Sequence, residues 1–154
     1  MLLIGYGNQG RGDDGLGPAF AARIEARRLA GLSVDADYQL TVEHALAVAE
    51  ADGVVFVDAS LERSEPFFFA PVKPAETASI ASHSLSPAAV LSLAGTLYGR
   101  APEAFVLGIS GSVFGDVREG LSEEARHNID SAEAFFCQWY SEFCSEQDGG
   151  SGSG

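Results

Sequence analysis

The sequence has few cysteines. Cys137 and Cys144 are the only two among 154 residues, and both fall in a predicted helix. Residues seven positions apart in a helix are separated by about 10 Å, which is too far for a disulfide bond. We therefore expect two free thiols, as is usual for a protein of the reducing cytoplasm.

Basic residues are also scarce. The chain has 9 Lys and Arg against 22 Asp and Glu, which gives a formal net charge of −13. The phosphate backbone of a nucleic acid would repel such a chain, so no nucleic-acid partner is expected. The charge suits a protein that recruits a cation or a basic partner.

Long hydrophobic runs are missing. No apolar run approaches the roughly 18 residues of a membrane span, and Met1 leads directly into a predicted strand without a charged and apolar leader. We expect a cytoplasmic monomer with no membrane partner and one domain over residues 1–148. Residues 149–154 are only glycine and serine, which predicts a flexible tail or linker.

Strand and helix patterns alternate along the remaining chain. The run VVFV (54–57) is apolar on both faces, which is typical of a central strand in a covered parallel sheet. The prolines of PFFFAPV (66–72) favour an edge strand. Further strands are predicted at 2–4, 33–40 and 104–110, and helices from Pro18 to Ala30, from a Thr41 cap to Ala51, from a Ser86 cap to Gly99, and after a Ser122 cap. The predicted fold class is α/β, with a twisted, mostly parallel sheet of about five strands and helices on both faces.

The first loop, GYGNQGRGDDGLG (5–17), contains the G-x-G-x-x-G pattern of dinucleotide-binding folds. Its charges argue against a nucleotide, because Asp13 and Asp14 occupy the approach to the helix on which phosphates would bind. A like-charge contact at about 4 Å costs about 4 kcal/mol at an effective dielectric near 20. We expect the glycines to allow tight turns, and Asn8 to hold the loop through side-chain hydrogen bonds.

Three potential metal ligands follow or precede predicted elements. Asp14 follows the first strand, Asp58 ends the third, and His83 precedes the Ser86 helix. Ligands of open α/β sheets bind beyond the carboxyl ends of the strands, so the three could converge at one rim. Two carboxylates and an imidazole suit nickel, zinc, manganese or iron. Taken singly, each residue also fits a turn, a helix end or a surface loop.

Other catalytic groups have weaker support. Ser110 lies in GISGS, which is not a G-x-S-x-G nucleophile elbow. The two cysteines belong to a helical stripe away from the predicted rim. His44 and His127 fall in helical patterns and are predicted to be surface residues.

Four motifs occur in the order found in the hydrogenase maturation proteases, and the chain resembles that family from Leu2 to about Phe143. The motifs are IGYGNQGRGDDGLG (4–17), VVFVDAS (54–60), SHSLSPAAVLSLA (82–94) and LGISGSVFGDVREGLS (107–122). The resemblance implies a twisted sheet with helices on both faces. It also implies that Asp14, Asp58 and His83 are the metal ligands and catalytic residues, with Asp14 standing where some members have glutamate.

The family consists of nickel-dependent endopeptidases that remove a C-terminal peptide from the large-subunit precursor of a [NiFe] hydrogenase. We hypothesise that the substrate supplies the nickel, that this nickel serves for recognition, and that other divalent metals can occupy the site. The metal would polarise the scissile carbonyl or activate a water, with a carboxylate such as Asp14 as general base. The stretch YQLTVEHALA (38–47) resembles the branch serving bidirectional, NAD-linked hydrogenases.

Two other classes stay open. A non-catalytic chaperone of the nickel site would bind the large subunit and leave its mass unchanged. A nucleotide-binding module would be stabilised by NAD or ATP in the absence of a divalent metal.

Overall fold

The computed structural model describes residues 1–75, 85–115, 117 and 119–151. Within them the chain forms a single α/β domain with one five-stranded sheet, as predicted. A single 3-10 turn, Asp13–Gly15, precedes the first helix. In chain order the elements are β1 (Leu2–Tyr6), α1 (Leu16–Arg27), β2 (Ser33–Asp37), α2 (His44–Glu50), β3 (Gly53–Ser60), β4 (Phe67–Val72), α3 (Pro87–Tyr98), β5 (Glu103–Ser110) and α4 (Glu123–Ser151).

The sheet has the strand order β2-β1-β3-β5-β4. All neighbouring strands are parallel except β4, which pairs with β5 in the antiparallel direction. The central position of β3 confirms the prediction from its apolar run, and Val54–Val57 are fully buried. The edge position of β4 is also confirmed, and it suits Pro71, which has no N–H to donate to a second neighbour.

Helices cover both faces of the sheet, as predicted. α2 and α3 pack on the face formed by Leu2, Ile4, Val54 and Phe56. α1 and α4 pack on the opposite face, where the rings of Phe20 and Phe136 meet edge to face at 5.8 Å. Because successive side chains along a strand point to opposite faces of the sheet, each central strand contributes to both cores.

The helix boundaries follow local chemistry at most positions. The N–H of Ala89 donates to the Ser86 hydroxyl at 3.1 Å, and the N–H of Ala125 donates to the Ser122 hydroxyl at 3.1 Å. Both caps were predicted. The expected cap at Thr41 is wrong, since α2 begins at His44 and Thr41 lies in the turn before it.

Two further outcomes concern the last helix. Cys137 and Cys144 both lie on α4 as free thiols, as expected. α4 continues to Ser151 and so includes the first three residues of the predicted tail, whereas residues 152–154 lie outside the described part of the chain. None of the described helices is long and apolar enough to cross a membrane.

Candidate functional site

The first loop turns sharply back on itself at the carboxyl end of β1. Gly7 has φ 147°, and a Cβ there would stand 2.0 Å from the Asp14 carbonyl oxygen. A Cβ on Gly17 would stand 2.3 Å from the Tyr6 carbonyl oxygen and 2.6 Å from that of Val57. Only glycine permits these approaches, so the glycine pattern lets the loop and the start of α1 pack directly on β1 and β3.

Asp13 anchors this loop to the segment between β5 and α4. Its side chain is fully buried. Its carboxylate accepts hydrogen bonds from the N–H groups of Ser112 (2.7 Å), Val113 (2.9 Å) and Ser122 (2.7 Å), and from the Ser122 hydroxyl (2.6 Å). Burial alone would raise the pKa of Asp13, but the bonds from these three residues outweigh it and hold the pKa below its ordinary value. Asp13 is therefore a structural pin, which here means a buried, charged side chain that holds the first loop to the segment between β5 and α4.

Asn8 fixes the other side of the loop. Its side-chain oxygen accepts from the N–H of Gly10 at 2.9 Å, and its side-chain nitrogen donates to the Tyr38 hydroxyl at 3.0 Å. Its backbone N–H donates to Oδ2 of Asp14 at 3.0 Å. The prediction that Asn8 holds the loop is confirmed, and the half-buried Asp14 carboxylate is oriented by that bond.

Asp58 ends the buried part of β3 and shares the rim with Asp14. Its Oδ1 accepts from the N–H of Ala59 at 2.8 Å, and its carboxylate is hydrogen-bonded by the Tyr6 hydroxyl. Burial, with a smaller contribution from the negative charge of Asp14, raises the pKa of Asp58 to about 6, although the hydrogen bonds from Ala59 and Tyr6 oppose the shift. Two carboxylates from separate elements thus lie close enough to repel each other.

The negative charges of these two groups favour a cation over an anion at the rim. Carboxylate oxygens are good ligands for divalent metals, and a metal would relieve their mutual repulsion. His83, the third predicted ligand, lies outside the described residues. Among the residues that the structure does describe, no group of three or more His, Cys, Asp or Glu side chains could hold a metal.

No protein-family model and no curated protein sequence matches the chain, but solved structures do. The hydrogenase maturating endopeptidase HybD from E. coli superposes with a TM-score of 0.71 at 21% identity, over 92% of this chain and 91% of that one. The [NiFe] hydrogenase maturation protease HycI from Thermococcus kodakarensis KOD1 gives 0.68 at 24% identity over 89% of each chain. The hydrogenase 2 maturation peptidase from a Thaumarchaeota archaeon gives 0.64 at 18% identity, over 90% and 96%.

The chain has the hydrogenase maturation protease fold. In this chain the fold brings Asp14 and Asp58 to one rim, as the sequence predicted. It also brings to that rim a residue that the sequence analysis missed. β1 and β3 are in register at Gly5 and Val57, so the next residues, Tyr6 and Asp58, are neighbours on one face of the sheet. The pairing register of β1 with β3 is the signal that would have identified Tyr6 as a neighbour of Asp58.

Burial and the Asp58 carboxylate hold the pKa of Tyr6 far above its ordinary value. The phenol therefore stays protonated and acts as a hydrogen-bond donor to Asp58. Tyr6 thereby orients the Asp58 carboxylate.

His44 was predicted to be a surface residue, and that prediction is wrong. Its ring is 6% exposed. Nδ1 accepts from the N–H of Thr41 at 3.0 Å, so the ring proton is on Nε2, which lies 3.2 Å from Oδ2 of Asp37. His44 thus ties the loop after β2 to the start of α2, because both of its nitrogens have partners. His127 is exposed, as predicted.

Proposed function

We propose that this protein is an endopeptidase that removes the C-terminal extension of a [NiFe] hydrogenase large-subunit precursor after nickel insertion. The observation that carries the proposal is the pair of repelling carboxylates, Asp14 and Asp58, at the rim of a fold shared with HybD and HycI. Those two proteins are described as a hydrogenase maturating endopeptidase and a hydrogenase maturation protease. We also propose that the enzyme works as a cytoplasmic monomer.

Nickel in this proposal arrives as part of the substrate. Asp14, Asp58 and His83 are the ligands that we assign to the protease side of the metal. A metal held there supplies Lewis-acid polarisation of the scissile carbonyl or of a water. Asn8 and Tyr6 each donate one hydrogen bond to a carboxylate, so both ligands are oriented before the precursor docks and lose little freedom on binding.

Neither Ser110 nor the two cysteines is placed to act as a nucleophile at the rim. Ser110 is 3% exposed, and its hydroxyl donates to the carbonyl oxygens of Glu62 and Glu65. Cys137 and Cys144 lie on α4 and pack against the core, and burial raises the pKa of the Cys137 thiol. This arrangement favours hydrolysis without a covalent serine or cysteine intermediate.

The segment 38–47 is the part of the chain that we assign to substrate class. Tyr38 is 62% exposed and its hydroxyl contacts Asn8 in the first loop. This contact places the segment beside the Asp14 loop. We propose that it selects the large subunit of a bidirectional, NAD-linked hydrogenase.

The deciding experiment is mass spectrometry of purified, nickel-loaded precursor before and after incubation with the protein. We expect the mass to fall by one C-terminal peptide with the wild type, and to stay constant with Asp58→Asn or His83→Ala. Cleavage of nickel-free precursor at the same rate would overturn the recognition model. Normal cleavage by both variants would overturn the ligand assignment.

The same experiment tests the chaperone alternative, and thermal unfolding tests the nucleotide alternative. A nickel-site chaperone would co-purify with the precursor while every mass stayed unchanged. A nucleotide-binding module would show a higher melting temperature with NAD or ATP alone, and the charge of Asp13 and Asp14 beside the glycine loop argues against this outcome.

A further inference from the structure

A groove of about 560 Å³ runs between α1 and the outer edge of the sheet at β2. One wall is the side of α1 that carries Pro18, Ala22 and Glu25, and the other is the end of β2 at Ala36 and Asp37. Its upper end, at the carboxyl ends of β1 and β2, is closed by Asn8, Gln9 and Gly10 of the first loop. The groove is open to solvent and connects the edge of the sheet with the rim.

The backbone of β2 presents hydrogen-bonding groups to this edge. The N–H of Ser33 donates to the Met1 carbonyl oxygen at 2.9 Å, and the Asp37 carbonyl oxygen accepts from the N–H of Gly7 at 3.1 Å. Residues 33, 35 and 37 therefore direct their backbone groups to β1. Because backbone groups alternate along a strand, Val34 and Ala36 direct theirs outward, and β2 is the last strand on that side of the described sheet.

The side chains along the groove leave room for another chain. Val34 packs towards α1 and α4, so Ala36, two residues later, faces α1 as well. Ala36 and Ala22 are both exposed, and each contributes only a methyl group to the wall. A strand added beside β2 would meet little steric resistance there.

The groove is acidic. Its lining contains Glu25 and Asp37 but no Lys or Arg among the described residues, and the whole chain carries a formal charge of −13. A bound segment with basic side chains would complement this charge, whereas an acidic one would be repelled.

The groove also ends at the proposed catalytic site. Asn8 lines its upper end and, through its backbone N–H, holds the Asp14 carboxylate at 3.0 Å. A chain lying along β2 would therefore reach the loop whose Asn8 is bonded to Asp14.

We propose that an extended, basic segment of the precursor, adjoining its scissile bond, binds in this groove by adding a strand to the outer edge of β2. Backbone hydrogen bonds to Val34 and Ala36 would provide affinity, and Glu25 and Asp37 would select basic side chains. The inference rests on the proposed function, because it names the surface that presents the substrate to the Asp14 and Asp58 pair.

Two variants test the groove by steady-state processing of nickel-loaded precursor. Ala36→Pro removes an outward N–H that takes no part in the sheet, and Ala22→Arg fills the wall with a bulky cation. For each we expect KM to rise about tenfold with kcat within about twofold, as the loss of one or two hydrogen bonds or contacts implies. Ala134→Arg, at an exposed position of α4, has the same charge change and should leave KM unaltered.

A direct readout uses a synthetic peptide that spans the residues on both sides of the precursor cleavage site. We expect this peptide to slow hydrogen exchange at the amides of Val34 and Ala36, and not at that of Asp35, which already faces β1. Protection that depends on protein concentration alone, with a dimer mass in light scattering, would show that a second copy pairs with β2 and would overturn the proposal.

The outcomes separate this proposal from the proposed function. If the wild type processes the precursor while folded Ala36→Pro and Ala22→Arg retain its KM, the groove proposal is wrong and the protease stands. If the wild type leaves the precursor mass unchanged, the proposed function itself fails, and peptide protection of β2 then reports binding alone.

Discussion

Asp13 and Asp14 are neighbours in the chain, yet their carboxylates have opposite surroundings. Asp13 is fully buried and accepts hydrogen bonds from three N–H groups and a hydroxyl. Asp14 is half-buried, accepts one N–H from Asn8, and lies near the like charge of Asp58. A carboxylate whose lone pairs are filled by the protein stabilises the fold, whereas a crowded pair with few donors remains available to a cation.

The largest expected effect comes from replacing each of the two aspartates with alanine. Asp13→Ala leaves three partly buried N–H groups and the Ser122 hydroxyl without their acceptor and should lower the free energy of unfolding by about 3–5 kcal/mol. Asp14→Ala loses one half-exposed bond and should cost about 1 kcal/mol while abolishing precursor processing. Denaturant unfolding and mass spectrometry on both variants measure the contrast. Equal stability of the two variants would show that Asp13 stabilises the fold no more than Asp14 does.

Because Asp13 is charged, its contribution to the free energy of unfolding depends on pH. Its depressed pKa means that its bonds contribute full stability above the unfolded-state value of about 4, and that this contribution is lost as the pH falls through the folded-state pKa. Unfolding free energies measured from pH 5 downwards should fall more steeply for the wild type than for Asp13→Asn. Parallel curves would mean that the Asp13 carboxylate is not preferentially ionised in the fold.

Tyr6→Phe tests whether the Tyr6 hydroxyl orients the Asp58 carboxylate at the rim. The change removes the hydroxyl that donates to Asp58 and keeps the ring. Because Asp58 is a proposed metal ligand, processing should fall about 10- to 100-fold. The melting temperature should change little. Tyr98→Phe, at a 48% exposed position on α3, is the matched control, and an equal loss of processing in both variants would contradict the role of Tyr6.

The smallest expected effect concerns His44, a second buried polar side chain whose hydrogen-bonding atoms have partners. His44→Ala removes the acceptor for the Thr41 N–H and the donor to Asp37, and should cost about 1–2 kcal/mol. His127→Ala, at an exposed position, should change stability by less than about 0.5 kcal/mol. Hydrogen exchange at the Thr41 amide would accelerate in the first variant only, and unchanged exchange there would argue against the ring as its acceptor.

Much of the fold could be predicted from the sequence because its signals are local. The two serine caps, the apolar run at the centre of the sheet and the prolines at its edge act within a few residues. The convergence of Asp14 and Asp58 was also predictable, since parallel strands end at one rim. The third proposed ligand, His83, lies outside the described residues and stays a prediction.

Other features depend on partners that are distant in sequence. The donors to Asp13 are 99 to 109 residues away, so nothing near Asp13 shows that it, and not Asp14, is the buried member of the pair. The contact between Tyr6 and Asp58 depends on strand register, and the burial of His44 depends on how α2 lies over the end of β2.

The sequence by itself determined the α/β class, the order of its strands and helices along the chain, the glycine loop and the two carboxylates that end at the rim. Only the tertiary structure decided which aspartate is a structural pin, that Tyr6 orients Asp58, and that β2 leaves an open edge beside an acidic groove. The physical reason is that patterning and caps act over a few residues, whereas burial, hydrogen-bond satisfaction and like-charge repulsion are properties of groups that meet only after folding.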